Sequence, residues 1–86
     1  MSLTIKRFSA VWCGPCKIIA PIINQLEDEF KDIKFEHVDI DENKEVADQY
    51  DIMSVPTLVF EKDGVEVDRF SGFRPKEFIV DIIKNI

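Results

Sequence analysis

The feature that most constrains this chain is Trp12-Cys13-Gly14-Pro15-Cys16-Lys17, which holds its only two cysteines and falls where one hydrophobic period gives way to another. Upstream, Leu3 to Ala10 is mostly apolar and β-favourable, with Leu3 and Ile5 alternating with Thr4 and Lys6. Downstream, Ile18, Ile19, Ile22, Ile23, Leu26 and Phe30 recur at helical spacing. A helix therefore opens directly after a strand, and the two cysteines sit on the joint.

That placement has chemical consequences. The first N–H groups of a helix lack intrahelical partners, and with the macrodipole they favour an anion, so a thiolate there is stabilised over a thiol. Cys13 is nearest that end. A thiol with an ordinary pKa of about 8.5 is only about 3% ionised at neutral pH, whereas one lowered to about 7 is half ionised. Cys13 is thus the natural nucleophile. Cys16 falls almost one turn later, where Gly14 and Pro15 permit its sulfur to close on Cys13, and it is the natural resolving thiol. Two rival uses are poorer. A zinc site requires four ligands, and the chain offers two cysteines and His37; a structural bridge closing so short a loop removes little unfolded-state entropy.

Length and charge set the outer bounds. Eighty-six residues suit one small domain, 1–86, with room for a single core. A net charge of −6 without a basic cluster argues against nucleic acid or an anionic membrane as partner and leaves proteins. Residues 1–10 lack the apolar run of a signal peptide, and no later run approaches a membrane span, so the cytoplasm is the expected compartment. Two cysteines in a CxxC fit reducing surroundings.

Taken in order, Ser2 to Ala10 is the first strand, and its Lys6 and Arg7 must run their stems along apolar surface to reach water. A helix from about Gly14 to Phe30 follows, bent at Pro21. Ile33 to Ile40 is a second strand. The acidic stretch after it has Lys44 and Tyr50 where a calcium loop needs glycine and glutamate, so it reads instead as a helix start capped by Asp41 or Asn43. Glu45 to Tyr50 is a short helix, with Val46, Ala47 and Tyr50 inward. Its crossover makes the first two strands parallel. Thr57 to Glu61 and Val65 to Phe70 form a hairpin about Asp63-Gly64. Pro75 opens a last helix, whose Phe78, Ile79, Ile82, Ile83 and Ile86 form one stripe.

Trp12-Cys-Gly-Pro-Cys-Lys17, the order βαβαββα and Val55-Pro56-Thr57 together resemble the thioredoxin family over most of the chain. The resemblance implies an α/β fold of minimal thioredoxin type, a four-stranded mixed sheet of order 2-1-3-4 flanked by three helices. It implies a cis bond before Pro56, beside the cysteines, where the proline blocks metal capture and the Val55 backbone is left to pair with substrate. Trp12, Gly14, Pro15, Val55, Pro56, Gly72 and Phe73 would then surround Cys13 as a mostly apolar surface, with Lys17 as a further active-site neighbour. Gly72 serves either close approach of a substrate backbone or a positive φ, and Phe73 is bulkier than the residue common there.

Two departures stand against the family pattern. The chain starts at what would be the second strand, which would leave one sheet face poorly covered. Arg7 occupies the position, six before the first cysteine, where thioredoxins usually carry a buried aspartate that moves the proton of the second cysteine. Water, Glu36 or His37 would have to replace it. The implied activity is reduction of protein disulfides by a redox-active Cys13–Cys16 pair with no bound cofactor, by a monomer that a flavin, NADPH-dependent thioredoxin reductase resets. A glutaredoxin-like redoxin and a redox-inactive interaction module on the same fold are the alternatives.

Overall fold

The computed structural model describes residues 2–86; Met1, the first residue of the expected domain, lies outside them. The chain runs β1 (Leu3–Ser9), α1 (Gly14–Glu29), β2 (Lys34–Asp39), α2 (Lys44–Gln49), β3 (Thr57–Lys62), β4 (Val65–Ser71) and α3 (Lys76–Asn85). The sheet order is β2-β1-β3-β4. β1 pairs parallel with β2 and antiparallel with β3, and β3 pairs antiparallel with β4. The expected topology, strand order and elements are all present, with boundaries differing by a residue or two.

β1 lies between β2 and β3, burying Ile5 on one face and Phe8 on the other, and its position fixes that of the CxxC that follows it. Ile5 packs with Ile19, Ile23 and Leu26 of α1, Leu58 and Phe60 of β3, Phe70 of β4 and Ile79 of α3. This cluster is the main core, and the helical spacing of the α1 residues is what delivers all three to it. Phe60 is fully buried and its ring stands 6.1 Å from that of Phe70. In α3 the stripe is narrower than expected. Ile79 is buried, and Val80, Ile82, Ile83 and Ile86 are partly so, but Phe78 stays 41% exposed. Its ring meets Phe70 edge-on at 5.4 Å, beneath the Arg74 guanidinium.

The opposite face of the sheet buries Phe8, against the Tyr50 ring at 5.3 Å, and Val59, and is completed by polar contacts. Lys6 bridges Glu36 at 3.2 Å and Glu61 at 3.5 Å, and its ammonium lies over the Tyr50 ring. The Tyr50 hydroxyl donates to Glu61 at 2.6 Å. Register explains the meeting, since Lys6 lies opposite Glu36 on one side and Val59 on the other, with Glu61 opposite Thr4. Arg69 adds a two-pronged pair to Glu66 and donates to the Tyr50 carbonyl, satisfying a carbonyl at the end of α2. The expectation of a poorly covered face is therefore modified: a short helix and an ionic network cover it. Lys6 gains enough from Tyr50, Glu36 and Glu61 to be pushed up despite its partial burial.

Three local devices shape the turns. Asp63 and Gly64 both take positive φ, 53° and 85°, which is the two-residue hairpin that their residue types demand. Asp51 also takes positive φ, just past α2, with Ile52 N–H on the Ala47 carbonyl and Asp51 N–H on that of Asp48. This double closure ends the helix and turns the chain toward Pro56. At the start of α2 the expected cap is absent. Asn43 holds the N-cap position without a side-chain cap, and Asp39 instead accepts the Asp41 and Glu42 N–H groups. Pro75 is likewise the N-cap of α3, one residue earlier than expected.

Two measurements check these assignments. Phe60→Ala should lower the unfolding free energy by about 3–5 kcal/mol in urea titration, because the site is wholly enclosed. The second concerns pH. Lys34 first, with Lys6, holds the Glu36 carboxyl below its ordinary 4.5, and Arg69 does the same for Glu66. Both groups bind protons more weakly when folded, so their contribution is complete above pH 4.5 and is lost as pH falls through the lowered folded range. The urea midpoint should therefore hold from neutral pH to about 5 and drop below it, with a shallower drop in Glu36→Gln.

Candidate active site

β1 ends at Ser9, and the turn through Ala10 to Trp12 closes when the Cys13 N–H donates to the Ala10 carbonyl at 3.2 Å. Cys13 keeps extended backbone, φ −90° and ψ 113°, and is the N-cap of α1. Its Sγ accepts the Cys16 N–H at 3.2 Å, the bond that serine or aspartate oxygen makes at most helix starts. Cys13 and Cys16 are joined in a disulfide, with Cα atoms 5.3 Å apart. Both are nearly enclosed, 5% and 6% exposed. With Ala10, Ile40 and Val55 they form a small apolar cluster separate from the main core.

Facing this pair is the Val55–Pro56 loop, whose peptide bond is cis, as the family resemblance implied. Cys13 Sγ lies 3.6 Å from the Val55 carbonyl oxygen. Pro56 is fully buried. Its carbonyl accepts the Gly72 N–H at 2.8 Å, and Thr57 Oγ1 donates to the Ser54 carbonyl at 2.7 Å while meeting Ser71 Oγ at 2.9 Å. The β3 and β4 ends thus hold the loop in place. Gly72 has φ 83°, whereas a Cβ there would meet nothing nearer than the flexible tip of Arg74 at 3.6 Å. Of its two possible uses, backbone conformation is the one that excludes other residues.

Trp12, Gly14 and Pro15 are exposed beside the cysteines, and the Trp12 indole N–H donates to Asp41 at 2.8 Å. Asp41 was legible only as a possible cap, because nothing in sequence links it to a residue 29 positions away. Met53, in the loop that leads to Val55, is 91% exposed and was not singled out by its spacing. Lys17 is exposed and lines a groove on the far side of Cys16. Phe73 is partly exposed, and no contact joins it to the sulfurs; its carbonyl accepts from Arg74. The structure therefore gathers Cys13, Cys16, Val55, Pro56 and Gly72, with Lys17 on the far side of Cys16.

The two sequence candidates for accepting the Cys16 proton are differently engaged. Glu36 is on the other face of the sheet, paired with Lys6 and Lys34. His37 is held between Arg7 and Glu27. Among the described residues, no group of three or more histidine, cysteine or acidic side chains is arranged to hold a metal ion, and no helix is long and apolar enough to cross a membrane.

A helix N-terminus carrying a reversible cysteine pair against a cis-proline loop is an arrangement for thiol–disulfide exchange, and the comparisons agree. The Thioredoxin family model matches residues 2–85. The chain is 47% identical over 82 residues to the thioredoxin of Bacillus subtilis, covering 94% of this chain and 79% of that protein. It is 44% identical over 81 residues to the thioredoxin of Mycoplasma genitalium, again covering 94% and 79%. The solved thioredoxin of Fasciola hepatica superposes with a TM-score of 0.91 at 43% identity, covering 98% of this chain and 80% of that one. With that family match spanning nearly its whole length and the cysteine pair formed at the helix start, this chain belongs to the thioredoxin family and is a thiol–disulfide oxidoreductase.

Proposed function

We propose that the chain is a small cytoplasmic thioredoxin that reduces protein disulfides, with Cys13 attacking and Cys16 resolving. The observation that carries the assignment of roles is the Cys16 N–H donated to Cys13 Sγ. That bond and the helix start stabilise negative charge on Cys13 and not on Cys16. In the reduced protein the Cys13 thiolate attacks one sulfur of a substrate disulfide, and the other substrate sulfur leaves as a thiolate and takes a proton from water. Cys16, as thiolate, then attacks Cys13; the internal disulfide forms and the second substrate sulfur departs. Two electrons pass from the dithiol to the substrate.

Docking is served by the exposed apolar rim. Trp12, 65% exposed, adjoins Cys13 in the chain, and Met53, 91% exposed, stands two residues before Val55; methionine and tryptophan suit transient contact with varied protein surfaces. The Val55 backbone, beside Cys13, is in this reading the edge that pairs with an extended segment of substrate. No bound cofactor enters this scheme. The partner that restores the dithiol is a flavin, NADPH-dependent thioredoxin reductase, and the working unit is the monomer.

Two experiments test this reading. Cys16→Ser should accumulate a mixed disulfide with an oxidised protein substrate such as insulin, visible by non-reducing electrophoresis and mass, while Cys13→Ser should be inactive; turnover by Cys13→Ser would reverse the roles. Met53→Glu should raise KM for a protein disulfide about tenfold and leave reaction with a small aromatic disulfide unchanged, the separation expected when a residue docks the partner without touching the sulfurs.

A further inference from the structure

Behind the disulfide, Arg7 of β1 lines a shallow groove together with Cys16, Lys17 and Ala20 of α1. Arg7 is half-buried, and burial pushes its guanidinium down from its ordinary value, with Glu27 opposing the change. It remains a cation, since arginine does not deprotonate in proteins. Its Nη2 donates to His37 Nδ1. Arginine can only donate, so Nδ1 is the unprotonated nitrogen and the ring proton sits on Nε2, 2.6 Å from Glu27 Oε1. The chain Arg7–His37–Glu27 thus runs in one hydrogen-bonding direction and locks the guanidinium in place. Arg7 Nε, in contrast, is buried with no partner, alone in this among the described residues.

This arrangement bears on a gap in the reaction. Cys16 must lose a proton before it can attack, yet His37 Nδ1 already accepts from Arg7 and Glu36 lies across the sheet. We propose that Arg7 is a fixed cation behind Cys16 that raises the share of Cys16 present as thiolate, so that resolution proceeds with solvent, rather than a carboxylate base, as proton acceptor. The inference rests on Cys16 being the resolving thiol. In the mixed disulfide, the Cys16 proton passes to water in the groove, and the thiolate attacks Cys13 Sγ. The Cys13–Cys16 bond forms, the bond from Cys13 to the substrate sulfur breaks, and that sulfur leaves with the electron pair and is protonated by solvent.

The charged surroundings come from three segments. Arg7 from β1 and Lys17 from α1 face the groove; His37 from β2 and Glu27 from α1 face Arg7; Asp39 of β2, opposite the groove-lining Ser9, accepts the Asp41 and Glu42 N–H groups, and Asp41 accepts from Trp12; Ile40 and Val55, which pack on the cysteines, are uncharged. Lys17 is exposed and screened by water and salt, whereas Arg7 is half-buried and tethered, so its field persists. Arg7 touches neither sulfur in this scheme and is a positioning residue for charge. A unit charge across such a groove, at the effective dielectric of a protein surface, changes an ionisation equilibrium by about tenfold.

The test isolates Cys16 in a Cys13→Ser background and follows its alkylation by neutral iodoacetamide from about pH 6 to 10. Adding Arg7→Met should cut the rate at neutral pH about tenfold and move the profile to higher pH, and Arg7→Lys should restore most of it. Glu27→Gln keeps the size and the hydrogen bond to His37 but removes the opposing charge, and should move the profile the other way. A merely structural role would not give shifts of opposite sign. An unchanged profile in Arg7→Met, or shifts of the same sign in Arg7→Met and Glu27→Gln, would overturn the proposal. Alkylation needs no substrate and no turnover, so it reads Arg7 even if the mixed-disulfide trap fails; failure of the trap overturns the assigned roles, and failure of the profile overturns only the role of Arg7.

Discussion

The site depends on one bond, the Cys16 N–H given to Cys13 sulfur at the first turn of α1. It exists because β1 ends in the sheet interior and the chain turns at once into a helix, leaving Cys13 in extended backbone as the cap. A serine there would satisfy the same N–H and do nothing more. Sulfur satisfies it and gains charge stabilisation in return, so a structural need of every helix is joined to the chemistry of this one. The Val55–Pro56 loop completes the site from the other side of β1, held by Gly72, Thr57 and Ser71.

The face of the sheet away from α1 joins a small apolar layer, the buried Phe8 and Val59 with Tyr50 packed on Phe8, to a polar network. Lys6, Glu36, Glu61 and Tyr50 satisfy one another across three strands and the end of α2. The Lys6 stem lies along the sheet while its ammonium meets both carboxylates. Burial of the Tyr50 hydroxyl, helped by Glu61, raises its proton affinity and keeps it a donor in this network.

What the sequence made legible is what depends on neighbours along the chain. The helix start at the CxxC, the α1 stripe, the Asp63-Gly64 hairpin and the parallel crossover all follow from local period and turn chemistry. The proline conformation and the strand order came from the family resemblance. Cross-strand chemistry was hidden, because it is set by register: Lys6 meets Glu36 and Arg7 meets His37 only once β1 and β2 align. For the same reason Trp12 found Asp41, and Asp39 displaced Asn43 as the organiser of the turn before α2. A polar residue's partner across a sheet has no signature in spacing.

The central position of β1 also has a consequence for the order in which the molecule assembles. Of the three strand pairings among the described residues, only that of β3 with β4 joins neighbours through a two-residue turn; β1 waits for β2, and for partners on β3 that lie between Thr57 and Lys62. The cysteines therefore precede in synthesis the proline loop that they face in the folded chain. Until β3 is made, β1 lacks one of its two partners, and the loop that faces Cys13 has no strand to hold it.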